Sequence, residues 1–133
     1  MVQADSQQGL PFSDNSFDVV IMMRVVNHLR NLDNAVSEIG RIVSPGGLLL
    51  ATDLADEYEY ICTRIPTPKH KISIETYKHS DAEWQRALEH NLFEVNMNEF
   101  TPAQLRRLGK TLPVGKFFAE DVPLFKLVTA RKK

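Results

Sequence analysis

The chain has 133 residues, of which 43% are hydrophobic and 25% charged, so we expect a single globular domain with one core. Its formal net charge of -1 excludes a broad basic surface, and we predict no binding to nucleic acid and no attachment to an acidic membrane. No stretch approaches the about 20 apolar residues that a membrane span needs.

Cysteine and histidine content argues against disulfides and metal sites. Cys62 is the single cysteine, and no spacing of Cys and His residues matches a zinc site, so we predict no metal. The first residues do not follow the pattern of a secretion signal, which favours a cytoplasmic protein. Residues 131–133, Arg-Lys-Lys, are interpreted as a short solvated tail.

The first regular elements follow one another as strand, helix and strand. Phe17 to Met23 is an almost continuous apolar run, which is typical of a strand buried on both faces in a parallel sheet. From Leu32 to Val43 apolar residues recur at helical spacing, with Asn31 as N-cap and a Ser-Pro-Gly-Gly segment as the stop. Leu48 to Asp53 then predicts a second strand, parallel to the first.

Residues 54–79 lack a clear period, contain Pro66 and Pro68, and are predicted to form a long connection. After them, Ser80 and Glu83 form a capping-box pattern that begins a helix, with Trp84, Ala87 and Leu88 facing inward.

The last third of the chain predicts a strand, a short helix and a final strand. The first strand covers residues 92–100, and the helix begins at Thr101 and Pro102. Leu105 and Leu108 are expected to face inward in that helix, and Gly109 to end it. Residues 124–130 predict the final strand.

Several motifs occur in an order that is typical of one enzyme family. They are Ala4-Asp5, Leu10-Pro11-Phe12, Asn15-Ser16-Phe17-Asp18-Val19-Val20, Asn27-His28-Leu29 and Glu38-Ile39-Gly40-Arg41-Ile42-Val43-Ser44-Pro45-Gly46-Gly47. Together they resemble the small-molecule (type 11) domain of class I S-adenosylmethionine-dependent methyltransferases. The match is close over roughly the first 55 residues, and beyond them it rests on the order of helices and strands.

The resemblance implies an α/β fold with a Rossmann-like sheet, mostly parallel and with an antiparallel last strand. It also implies S-adenosyl-L-methionine as cofactor, lying over the C-terminal ends of the parallel strands. By analogy with the family, Asp5 would lie near the adenine amino group and Ser6 beside the ring. Met23, Arg24 and Val25 would line the cofactor after the first strand. For Asp5, the capping of a turn is the alternative.

The resemblance says less about which residues form the acceptor site. Asp53 ends a strand at the functional edge of the sheet, and Tyr58 and Tyr77, like Tyr60, belong to the region that shapes acceptor sites in this family. His79 and His28 are the candidates for a catalytic base if the acceptor is a hydroxyl. A packing role is the alternative for His28, and for Arg24 the alternatives are pairing with an acidic substrate and facing solvent.

The resemblance implies a glycine-rich loop in the first part of the domain, and by comparison residues 1–133 are expected to be the C-terminal part of one truncated methyltransferase domain. The glycines are Gly9, Gly40, Gly46, Gly47, Gly109 and Gly115, which form no Gly-x-Gly loop, so we expect the glycine-rich part to be absent. The strand from Phe17 to Met23 would then have one open edge, which predicts self-association, a complementary N-terminal chain, or poor solubility. Two hypotheses follow: methyl transfer to a small-molecule acceptor, or a non-catalytic subunit that pairs through this edge with another methyltransferase chain.

Overall fold

The structure is a computed structural model, and it describes residues 3–5, 8–58, 62–68, 70–109 and 119–133. Six strands, three α-helices and one 3₁₀ turn occur within these residues. In chain order they are β1 (Phe17–Met22), the 3₁₀ turn (Val26–His28), α1 (Leu32–Ile42), β2 (Val43–Leu54), β3 (Cys62–Pro66), β4 (Lys71–Glu75), α2 (Asp81–His90), β5 (Phe93–Phe100), α3 (Pro102–Arg107) and β6 (Phe125–Lys132).

Four strands form a mixed sheet in the order β1-β2-β6-β5. β1 and β2 are parallel, whereas β6 lies antiparallel to β2 on one side and to β5 on the other. β5 therefore points the same way as β1 and β2. The predicted α/β sheet, mostly parallel with an antiparallel last strand, is confirmed.

The helix starts predicted from the sequence are also confirmed. The side chain of Asn31 caps α1 by accepting a hydrogen bond from the N–H of Asn34. Each cap satisfies N–H groups that the first turn of a helix leaves without a partner. Capping boxes begin the other two helices, Ser80 with Glu83 in α2 and Thr101 with Gln104 in α3.

The hydrophobic core lies between one face of the sheet and the pair of helices α1 and α2. Burial of each large apolar side chain contributes about 1.5–3 kcal/mol to stability. Trp84, Ala87 and Leu88 are buried as predicted. Other fully buried members of this core are Val26, Val36, Leu49 and Val128.

The Ser-Pro-Gly-Gly segment ends α1 and at the same time bulges out of β2. Phe17 of β1 lies opposite Val43, but Val19 lies opposite Leu48. The four residues 44–47 of β2 therefore lie opposite a single residue of β1. The extra residues of β2 form an irregularity in the pairing of the two strands. The second strand consequently begins earlier than predicted.

Two glycines make this bulge possible. Gly46 has φ +79°, in the left-handed region that favours glycine. A Cβ atom on Gly47 would lie 2.8 Å from the carbonyl oxygen of Ser44 and 2.9 Å from that of Asp18. Both atoms belong to the backbone and cannot move aside, so the strands pair this closely because residue 47 has no side chain.

The prediction of a long connection over residues 54–79 is wrong for the middle of this range. β3 and β4 pair antiparallel there and form a separate two-stranded hairpin. The N–H of Thr67 donates to the carbonyl of His70 and closes the turn. The β4 sequence Lys-Ile-Ser-Ile-Glu alternates isoleucine with polar residues, which is a strand period that the surrounding prolines obscure.

The interpretation of residues 131–133 as a solvated tail is wrong as well. β6 continues to Lys132, whose Nζ donates to the carbonyls of Gly40 (2.7 Å) and Val43 (2.8 Å). These carbonyls lie at the C-terminal end of α1, where the helix dipole favours a cation. Lys132 therefore fastens the last strand to the first helix.

The outer face of β1 is not buried, contrary to the sequence prediction. Val19 is 47% exposed and Ile21 is 60% exposed, because both helices of the core lie on the opposite face of the sheet. Within the described residues β1 pairs with β2 alone, so its other edge is open. Leu108, predicted to face inward, is 63% exposed where α3 ends.

Candidate functional site

A cavity of about 490 Å³ opens at the C-terminal ends of β1 and β2. Ligands of open α/β sheets bind at this edge as a rule, and small-molecule sites have volumes of about 300–1,000 Å³. Four of the residues predicted from the sequence line the cavity: Met23, Arg24, Asp53 and Tyr58. Strand ends that are distant in sequence thus meet where the fold places a binding site.

Sequence reasoning missed six further residues of the cavity wall. Thr52 follows the apolar body of β2, so its polar strand-end position is a usable signal. The apolar residues from α3 and the start of β6 carry no local signal, because the fold alone brings them beside β2. The six are Asn27, Thr52, Leu54, Leu105, Leu124 and Phe125.

The backbone turns sharply at Arg24, directly after β1. Its φ of +57° is in the left-handed region, which costs a non-glycine residue roughly 1–3 kcal/mol unless its surroundings hold it there. The N–H of Arg24 donates a 2.9 Å hydrogen bond to Oγ1 of Thr52. This bond joins the ends of β1 and β2 and fixes Arg24 on the cavity wall.

Asp53 lines the cavity, but its carboxylate is engaged on the helix side of the sheet. Asp53 is 3% exposed, its Oδ2 accepts a 2.9 Å hydrogen bond from Nε1 of Trp84, and its Oδ1 accepts one from the N–H of Leu54. Burial raises the pKa of the Asp53 carboxyl, and the two hydrogen bonds oppose that effect. This geometry favours a positioning role over direct contact with a substrate.

A fully buried lysine, Lys126, lies beside Asp53 in the ladder between β2 and β6. Its Nζ donates to Asp56 Oδ1 (2.6 Å), to Asp81 Oδ1 and to the carbonyl of His79 (2.9 Å). Burial lowers the pKa of Lys126, but the two carboxylates outweigh burial and raise it. Lys126 thereby ties β6 to the start of α2 and to the turn after β2. No sequence signal marks Lys126, since a lysine in a terminal strand is usually exposed.

His79 does not line the cavity. It is 5% exposed, and its Nε2 lies 2.9 Å from the carbonyl oxygen of Leu29. A carbonyl only accepts, so Nε2 carries the hydrogen and cannot take up a proton at that atom. This hydrogen bond connects the segment after β4 to the end of the 3₁₀ turn.

His28 and Tyr77 lie together where the segment after β4 runs beside the 3₁₀ turn. The N–H of Tyr77 donates to the carbonyl of Asn27 (2.9 Å), and Nδ1 of His28 lies 3.4 Å from the carbonyl oxygen of Glu75. The Tyr77 hydroxyl donates to Oε2 of Glu75 (2.6 Å), and this hydrogen bond raises the pKa of Tyr77. Both residues border Asn27, which lines the cavity, and neither lines it directly.

Two further predicted cofactor residues, Asp5 and Val25, do not line the cavity. Asp5 is exposed, and its Oδ2 accepts a 2.9 Å hydrogen bond from Nε2 of Gln8. Val25 is 45% exposed and does not line the cavity. Ser6 and Tyr60 lie outside the described residues.

The segment that follows Asp5 is anchored to α1. Arg41 donates to the carbonyls of Leu10 (2.9 Å) and Phe12 (2.7 Å), and Glu38 accepts from the N–H of Leu10 (2.8 Å). The hydrogen bond from Arg41 lowers the pKa of Glu38, which keeps both charges in place. The Leu-Pro-Phe and Glu-x-x-Arg motifs of the sequence are therefore two halves of one contact.

No helix within the described residues is long and apolar enough to cross a membrane. In the same part of the chain, no group of three or more His, Cys, Asp or Glu residues is arranged to hold a metal ion.

Part of the sequence, and the fold, are similar to those of known methyltransferases. Residues 1–51 match a family model described as a methyltransferase domain. The chain is 37% identical over 60 residues to the sterol 4-C-methyltransferase strm-1 of Caenorhabditis elegans, which covers 45% of this chain and 18% of that protein. It is 33% identical over 64 residues to the ubiquinone/menaquinone biosynthesis C-methyltransferase UbiE of Shewanella pealeana, covering 48% of this chain and 25% of that protein.

The fold is similar to that of a solved S-adenosylmethionine-dependent methyltransferase from Mesorhizobium loti. The TM-score is 0.71 at 18% identity, and the match covers 97% of this chain and 67% of that one. The likeness in fold therefore extends well beyond the residues that match in sequence. The matched segments span less than two thirds of the length of either curated relative.

Proposed function

We propose that this chain carries part of a class I S-adenosylmethionine-dependent methyltransferase domain and takes part in methyl transfer to a small-molecule acceptor. The observation that carries the proposal is the cavity at the C-terminal ends of β1 and β2. When bound, S-adenosylmethionine supplies a methyl group on a cationic sulfur. The sterol and quinone methyltransferases among the relatives support a small-molecule acceptor.

Two of the residues predicted to bind the cofactor have side chains that suit its chemical groups. Asp5 offers a carboxylate, which suits an exocyclic amine, and Met23 is a 46% exposed apolar side chain on the cavity wall. We assign these two residues, with Ser6, Val25 and the backbone of Arg24, to the cofactor side of the site. Their task is to bind and orient, because methyl transfer depends on alignment more than on a dedicated base.

The acceptor side is assigned to the segments after β2 and β4. Tyr58 lines the cavity, and Tyr77 is fastened next to it through the carbonyl of Asn27. His28 and His79 are the candidates for removing a proton from an acceptor hydroxyl. At His79 the proton would go to Nδ1, since Nε2 already donates to a carbonyl. Asp53 supports the wall from behind, through Trp84.

The decisive experiment is calorimetric titration of the chain with S-adenosylhomocysteine, the demethylated form of the cofactor. A cofactor site within these residues predicts micromolar binding. Asp5→Asn is expected to weaken it about tenfold, since a hydrogen bond to a charged group contributes about 1.5–3 kcal/mol. Asp33→Asn, an exposed aspartate on α1, serves as the matched control. An absence of binding would rule out catalysis by this chain alone.

A second candidate function is supported by the open edge of β1. Val19 and Ile21 expose apolar surface beside an unpaired strand edge in the described structure, and such edges pair readily with other strands. Under this alternative the chain is a subunit, completed by a chain that supplies the glycine-rich part or by a second copy. Failure to bind S-adenosylhomocysteine, together with association through β1, would favour it. A cytoplasmic location is part of either proposal.

A further inference from the structure

We propose that the cavity selects an acceptor that is largely apolar and carries one anionic group, a carboxylate or a phosphate, bound by Arg24. This inference rests on the proposed function and adds the chemical class of the substrate to it. It follows from three features of the cavity: the apolar wall, the placement of its charges and the fixed position of Arg24.

Apolar side chains make up most of the cavity wall. They come from four separate parts of the fold: the end of β1, the end of β2, α3 and the start of β6. A site walled in this way binds through burial of apolar surface, and a few polar groups decide the orientation of the ligand. The apolar members are Met23, Leu54, Leu105, Leu124 and Phe125.

Of the two charged side chains on the described part of the wall, Arg24 is the one whose charged group has no partner among the described residues. Arg24 is the cation that lines the cavity, and no carboxylate among the described residues forms an ion pair with it. Asp53, the acidic residue of the wall, directs both carboxylate oxygens to other donors, Nε1 of Trp84 and the N–H of Leu54. The described wall therefore leaves the positive charge of Arg24 for a ligand to neutralise.

The guanidinium group suits an anionic ligand group in particular. Its planar set of N–H donors matches the oxygens of a carboxylate or a phosphate and can bind two of them at once. The backbone of Arg24 is held by the hydrogen bond to Thr52 at the strand ends. This bond fixes the backbone from which the guanidinium group extends into the cavity wall.

The test uses three probes with the same eight-carbon chain: octanoate, octyl phosphate and octanol. Each is titrated into the 133-residue chain by calorimetry. We expect both anions to bind at least tenfold more tightly than octanol, and the tighter of the two identifies the anionic group. Arg24→Gln should remove this preference and leave octanol binding within about twofold. Arg86→Gln, the same substitution on the exposed side of α2, should leave all three affinities unchanged.

Equal affinity for octanol and the two anions would overturn the proposal, and so would an anion preference that survives in Arg24→Gln. A lack of binding by all three probes would overturn it as well. These titrations contain no cofactor, so their outcome is independent of the titration with S-adenosylhomocysteine. Binding of S-adenosylhomocysteine without anion selectivity would reject the acceptor class and keep the proposed function.

Discussion

The indole Nε1–H of Trp84 donates a 2.9 Å hydrogen bond to Oδ2 of Asp53, and both side chains are buried. This bond connects α2 to the end of β2, directly behind the cavity wall. A buried indole and a buried carboxylate each need a partner, because a polar group that leaves water without one is costly. The pair therefore fixes the distance between the helix layer and the strand end that carries Thr52 and Leu54.

Trp84→Phe should destabilise the fold by about 1–3 kcal/mol beyond the loss of apolar area, since it leaves the Asp53 carboxylate short of a donor. Asp53→Leu removes the need for that donor. The double variant should therefore cost less than the sum of the single variants, with a coupling of about 1 kcal/mol or more in urea-induced unfolding. Additive effects would show that the hydrogen bond does not contribute.

In the cluster around Lys126, removing the positive charge and removing the negative charges should lower the stability of the fold by different amounts. Lys126 is fully buried, whereas the side chains of Asp56 and Asp81 are 40% and 44% exposed. Lys126→Met leaves two carboxylates that water can reach, and we expect a loss of about 1–2 kcal/mol. The double variant Asp56→Asn/Asp81→Asn leaves a buried ammonium without either of its ion-pair partners, and we expect a loss of about 3–5 kcal/mol.

Urea-induced unfolding of the two variants measures this difference. The matched control is Asp18→Asn/Asp121→Asn, which removes two exposed carboxylates elsewhere and should change the free energy of unfolding by less than about 0.5 kcal/mol. A larger loss in Lys126→Met than in the double aspartate variant would contradict the assignment of the buried charge.

The bulge of β2 allows a comparison of two adjacent glycines. Gly47→Ala brings a Cβ within 3 Å of two backbone carbonyl oxygens, so the pairing of β1 with β2 must open. Gly46→Ala meets no atom within 4 Å and is disfavoured by its positive φ alone, which costs about 1–2 kcal/mol. Thermal unfolding should therefore show a larger fall in Tm for Gly47→Ala. An equal fall would mean that the bulge relaxes around a side chain.

The parts of the fold that follow from local rules were predictable. Asn31, Ser80 and Thr101 begin helices because their side chains accept hydrogen bonds from N–H groups a few residues ahead, which depends on neighbouring residues alone. The order of β1, α1 and β2 was predictable in the same way, because it follows from residues that are neighbours in the sequence. The position of the cavity follows from it, because parallel strands end at one edge of the sheet.

The parts that depend on contacts between distant residues were not predictable. Lys126 is buried because Asp56 and Asp81 meet it from two other segments, 70 and 45 residues away in sequence. Asp53 is a strand-end carboxylate whose role is decided by an indole 31 residues later. His79 carries the residue type of a base, yet a backbone carbonyl 50 residues earlier occupies its Nε2. Residue type suggests chemistry, but the tertiary partner decides it.

The exposed edge of β1 predicts association in solution. Ile21 is 60% exposed on a strand whose second edge has no partner within the described residues. Ile21→Lys places a charge on this edge, and charged side chains are the means by which natural edge strands avoid pairing. Sedimentation velocity over a range of concentrations should show oligomers for the parent chain and a shift to monomer for Ile21→Lys.

Leu108→Lys is the control, because Leu108 is 63% exposed but lies after α3. If both lysine variants dissociate the oligomer equally, the association depends on general hydrophobicity and not on the β1 edge. A parent chain that stays monomeric at high concentration would mean that the edge is protected in solution.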